Sequence, residues 1–164
     1  MPVIDRGGEI DDLRSAADGA LPPAGRVLVP LERLEEAVAS PLEIGVHIPN
    51  DTDPDSLVPH FGRLAMISVD FPSFADGRGF SIGRCLRHRS FVGRLRATGP
   101  VIADQFAYLI DCGFDEVAIP QALAARQPVE RWMAELGTIT LGYQRGVPGR
   151  GSILDRRRAG ASPA

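Results

Sequence analysis

The stretch Leu64-Ala65-Met66-Ile67-Ser68-Val69, running on through Asp70-Phe71-Pro72-Ser73-Phe74-Ala75-Asp76-Gly77-Arg78-Gly79-Phe80-Ser81, decides the fold. Its first six residues are almost continuously apolar, the pattern of a strand buried on both faces of a parallel sheet. A loop over residues 70–80 follows, then a helix from about Ser81 to Arg89 and a second strand at Arg94–Thr98. Strand, helix, strand in that order is a βαβ unit.

The same alternation extends in both directions. Upstream lie a short β-branched run at Arg26–Pro30, a helical stretch from Leu31 to Ala39 stopped by Ser40-Pro41, and an alternating strand at Glu43–Ile48. Asp53 before Pro54 is a helix cap, opening a short helix that runs to about Phe61. Downstream, Gly99-Pro100 turns the chain into a helix whose inner side carries Val101, Ala103, Phe106, Leu109 and Ile110, and Gly113 suits its left-handed cap. Glu116–Ile119 is a strand, residues 120–136 are helical with a break at Pro128, and Thr138–Tyr143 is the last strand. The expectation is an α/β domain with a mainly parallel sheet of about six strands, built as an open three-layer sheet or a partial barrel. A closed eight-stranded barrel needs roughly 250 residues, and the chain has 164. Residues 1–25 read as an N-terminal arm or hairpin, 26–145 as a single domain, and 146–164 as a flexible tail rich in Gly and Arg.

Composition excludes several chemistries. All 18 basic residues are Arg, with no Lys, so Schiff-base and P-loop lysines are out. Net charge is −3, which argues against a general nucleic-acid binder. No apolar run reaches the roughly 18 residues of a membrane span, and Met1–Arg6 does not resemble a secretory leader. Cys85 and Cys112 offer neither a disulfide framework nor zinc-ribbon spacing, and the expected location is the cytoplasm. His47, His60 and His88 lack metal-ligand spacing, so no metal is expected. No GxGxxG or HExxH occurs, and no cofactor cradle is recognisable.

The positive signal is charge. Residues 77–103 hold six Arg (78, 84, 87, 89, 94 and 96) and no Asp or Glu, although the chain has 21 acids. Within this zone Gly77-Arg78-Gly79-Phe80-Ser81 lies between strand and helix, with Ser81 as the expected N-cap. Free N–H groups at a helix start and a guanidinium fork suit an oxyanion. Arg84, Arg87 and His88 fall on one helical face. The bland alternative is that Arg78 pairs with Asp76 or Asp70 to hold the loop, and that the helical arginines are a solvated face. Asp76 and Asp104 are the candidate proton-handling groups, although acids here equally cap turns and helix starts.

Phe71–Ser81, Leu86-Arg87, Gly93–Gly99, Asp104-Gln105 and Cys112–Asp115 together resemble a small bacterial family of unknown function, through its FPxFxDGRxFS and GxLRAxG segments. That family carries the label of oxidoreductases in sulfite reduction, and its genes lie beside those for sulfite reductase and adenylylsulfate or phosphoadenylylsulfate reductase. The resemblance covers residues 26–145 and implies a part in assimilatory sulfur reduction, with one of those reductases as partner. The motif positions it marks are Asp76, Gly77, Arg78, Ser81, Arg87, Arg96, Asp104 and Gln105; Pro100 and the Arg-rich tail depart from the pattern. Among them Gly77, Arg78, Ser81, Arg87, Arg96 and Gln105 form the expected anion site. Three readings stay open: an accessory protein binding an oxyanion or a reductase, an oxidoreductase or enzyme subunit, and a structural homodimer joined through the helix around Phe106 and Tyr108.

Overall fold

The computed structural model of the chain describes residues 1–12, 15, 16 and 19–136. The expected strand at 138–143 and the tail lie outside the described residues. Strands β1 (Val3–Asp5), β2 (Gly8–Ile10), β3 (Ser15–Ala16), β4 (Arg26–Pro30), β5 (Glu43–Ile48), β6 (Leu64–Asp70), β7 (Arg94–Thr98) and β8 (Glu116–Ala118) form one open sheet in the order β2-β1-β8-β7-β6-β5-β4-β3. Helices α1 (Leu34–Val38), α2 (Arg78–His88), α3 (Phe106–Asp111), α4 (Gln121–Ala124) and α5 (Val129–Leu136) intervene, with 3-10 turns at Leu31–Arg33, Pro54–His60 and Ala103–Gln105. The break between α4 and α5 falls at Pro128, as its missing N–H requires.

From β3 to β8 every neighbouring pair is parallel, while β1 pairs antiparallel with both β2 and β8. The first residues are therefore an integral edge of the sheet: Val3, Ile4 and Asp5 sit opposite Ala118, Val117 and Glu116. Local pattern reveals the Gly7-Gly8 turn but not this distant partner.

Strands β4 to β8 lie side by side in chain order. With right-handed crossovers, such an order places every connection on one face. The packing agrees. A single apolar cluster joins Val27, Val29, Ile44, Val46, Ile67, Val69, Leu95, Ala97 and Val117 from alternate strand positions with Leu34, Ile82, Leu86, Phe106, Leu109 and Trp132 from the helices. Among the described residues the sheet is open and mainly parallel, not a closed barrel, with the helices packed on one face.

The other strand positions point to the second face. Cross-strand register puts His47, Ser68, Arg96, Glu116 and Asp5 in one row, with Met66 and Arg94 below it and Asp70, Thr98 and Ala118 above. This face is polar yet largely closed to solvent: Ser68, Arg96 and Glu116 are all buried.

Candidate functional site

The loop after β6 is shaped by its aromatic residues. Phe71 is fully buried, its N–H donates to Thr98 O (2.7 Å), and its ring stacks edge-on with Phe80 and Phe114. Gly79 lies directly on the Phe71 ring, where a Cβ would collide with it, which brings the start of α2 against the strand end. Helix α2 begins at Arg78, three residues before the expected start, so Ser81 lies inside the first turn and is not its N-cap; Gly77 takes that position. The cap is instead supplied by Asp76, whose Oδ1 accepts the Arg78 N–H at 3.1 Å.

Asp76 also holds the Arg78 side chain, from Nε to Oδ1 at 3.1 Å and from Nη2 to Oδ2 at 2.7 Å. The guanidinium, the Arg78 N–H and the nearby Asn50 amide keep the Asp76 carboxyl well below the usual carboxylate range. Such a group stays ionised near neutral pH and is a poor proton donor. Asp51 adds a further negative charge within reach of Arg78.

The other expected anion ligands do not converge on this loop. Arg87, at the far end of α2, donates from Nε to Gly113 O (2.9 Å), from Nη1 to Phe91 O and Gly93 O (2.7 and 2.8 Å), and from Nη2 to Asp115 Oδ2 (2.7 Å). It is a clamp on three turns. Gly113 has φ +96°, and the Arg87 stem lies where a Cβ would point, so this position requires glycine for two reasons. Arg96 faces the second side of the sheet and is paired with Glu116 and Asp12. Gln105 donates to Phe74 O (2.7 Å) and accepts from the Ile102 N–H, tying the loop to α3. Asp104 pairs with Arg131 at the surface, at 3.1 Å. The single cationic pocket expected from the sequence is thus replaced by three separate structural uses of arginine.

What the loop does present is a surface. Phe74 is 57% exposed and Tyr108 is 44% exposed. The Arg78 side chain is 60% exposed. Phe80 stacks on Tyr108 at 4.9 Å, and Arg84 lies over the Tyr108 ring at 5.4 Å. Phe106, expected at a dimer face, is buried against Trp132 and is unavailable. Cys112 is buried, and burial pushes its thiol above the ordinary range, which suits packing and not nucleophilic work. Among the described residues no group of three or more His, Cys, Asp or Glu side chains could hold a metal ion, and no helix is long and apolar enough to cross a membrane.

Sequence reading missed the polar row on the second face. His47 Nδ1 lies 3.0 Å from Ser68 Oγ, which lies 2.7 Å from Thr98 Oγ1. Its signal was available: His47, Ser68, Asp70, Arg94, Arg96 and Thr98 alternate with apolar residues.

The architecture and this surface define an open-sheet α/β protein with an aromatic and arginine-bearing edge. More specifically, the chain belongs to the family described as "Bacterial protein of unknown function (DUF934)", whose model matches residues 45–153. No curated protein and no solved structure matches it.

Proposed function

We propose that the chain is an accessory protein of assimilatory sulfate and sulfite reduction that docks onto a reductase through the loop and helix surface from Phe74 to Arg84, with Tyr108. One observation carries the docking part: Phe74, Arg78, Arg84 and Tyr108 are displayed together beside an aromatic cluster. Aromatic residues and Arg are enriched where protein partners bind, and a few of them supply most of the affinity. The sulfur-pathway part rests on the resemblance of the FPxFxDGRxFS and GxLRAxG segments. The preferred partner is sulfite reductase or phosphoadenylylsulfate reductase, offering an apolar seat rimmed by carboxylates for Arg78, Arg84 and His88.

Binding of a small oxyanion at the same loop is the second reading. It is favoured by Arg78 Nη1, which makes no hydrogen bond among the described residues, and by the exposed Ser81. Against it stand the carboxylates of Asp76 and Asp51, which offset the charge of Arg78.

The test is binding of the purified full chain to each reductase by surface plasmon resonance. Saturable binding that Phe74→Ala and Tyr108→Ala each weaken by about tenfold or more is expected, since a hot-spot truncation is worth about 1–2 kcal/mol or more. No binding to either reductase would contradict the docking reading. An oxyanion site would instead appear as a calorimetric response to sulfite or sulfate that Arg78→Ala removes. An oxidoreductase role would appear as a visible absorbance band or as turnover by the chain itself.

A further inference from the structure

Arg96 is buried on the second face of the sheet, and its donors are divided in a particular way. Nε donates inward to Glu116 Oε1 at 2.7 Å, and Glu116 also pairs with Arg94. The two outer nitrogens, Nη1 and Nη2, both turn to a single carboxylate, Asp12, at 2.9 and 3.1 Å. This is the side-by-side arrangement in which a guanidinium receives a carboxylate, sulfate or phosphate ligand.

Asp12 comes from outside the matched family region of residues 45–153, whereas Met66, Arg94, Arg96 and Glu116 all lie inside it. Arg96 is therefore oriented by a family-region carboxylate and capped by one from the N-terminal segment. Beside the pair is a recess of about 90 Å³, bordered by Asp11, Asp12, Arg26, Met66, Arg94 and Arg96. That is room for roughly three water molecules, the scale of a small oxyanion and far below the several hundred Å³ of a nucleotide-sized pocket. Ser68 is the register partner of Arg96 on the neighbouring strand, so a hydroxyl lies in the next position of the row.

We propose that this second face is a binding site for a small anion presenting two oxygens on one edge, and that Asp12 occupies it as an internal stand-in for that ligand. With Asp12 withdrawn, the two outer nitrogens of Arg96 lose their carboxylate while Nε keeps Glu116, and Arg94 keeps Glu116 and Asp5. A free anion must compete with a tethered carboxylate, whose effective concentration is on the order of millimolar. Binding to the native chain is consequently weak and is unmasked when Asp12 moves or is removed. This inference does not depend on the docking surface, which lies at the other end of the sheet's strands around α2 and α3.

The experiment is isothermal calorimetry and thermal unfolding of the full chain, Asp12→Ala and the near-isosteric Asp12→Asn, with sulfite, sulfate, phosphate and acetate at constant ionic strength. At least one of these anions should bind both variants tenfold or more tighter than the native chain and restore the Tm that the substitution lowers. Adding Arg96→Met to Asp12→Ala should abolish the gain. A lowered Tm with no gain in anion affinity over the native chain would overturn the proposal and leave Asp12 as a structural tie. A gain that survives Arg96→Met would overturn it too, by placing the anion elsewhere. Loss of reductase docking in Phe74→Ala has no bearing on either result.

Discussion

Arginine is the residue on which sequence and structure diverge most. An acid-free window reads as a cationic patch because the acids that pair with it come from elsewhere: Asp55 meets Arg89, Asp115 meets Arg87, and Asp12 and Glu116 meet Arg96. Those partners are between 20 and 84 positions away, whereas Asp76 lies 2 positions from Arg78, within reach of a local reading. The pairs differ in consequence. Arg96 and Glu116 are both buried, and removing Glu116 leaves Arg96 with Asp12 alone and its Nε without a partner. Glu116→Ala is accordingly expected to lower the urea-unfolding free energy by about 1–3 kcal/mol. Arg78→Ala should stay within about 0.5 kcal/mol, as surface substitutions do. Equal effects of the two would show that the distinction drawn between structural and displayed arginines is wrong.

At the scale of elements, the strands and helix breaks were legible and the joints were not. Hydrophobic run length located β4 to β8, Asp53 does accept the Asp55 N–H at 3.0 Å, and Gly113 does adopt positive φ. Helix α2 starts three residues before the cap that Ser81 suggests, with Gly79 packed on the Phe71 ring where a Cβ would collide. Small residues set this packing further along the helix. A Cβ at Gly83 would run into the Phe114 ring, so Gly83→Ala should cost about 1–3 kcal/mol through overpacking despite its higher helix propensity. Unfolding by urea, with m unchanged, is the check.

The sheet carries a pH dependence of its own. Burial holds the His47 imidazole below its ordinary 6.5, and the Asp70 carboxylate opposes this only in part. The unfolded chain therefore takes up a proton that the folded chain resists. Stability from this residue is complete above about pH 6.5 and is lost as the pH falls through the folded value. Replacing His47 by Gln should flatten the decline in urea midpoint between about pH 7 and pH 5. A decline as steep as that of the native chain would assign it to other groups.

Across the whole molecule, the two proposed binding surfaces are separated by the sheet. Because β4 to β8 run in chain order, the helices among the described residues gather on one face, and the polar row lies on the other. The α/β class was readable from alternation alone, but this one-sidedness depends on strand order, which local patterns do not encode. The proposed docking edge lies at the carboxyl end of β6, where open α/β sheets place their ligands. The docking proposal is tested most directly by amide hydrogen exchange of the full chain with and without each proposed reductase partner. Added protection confined to residues 72–84 and 104–111 is the predicted result. Protection confined to the β1–β2 hairpin, or none at saturating reductase, would contradict the account.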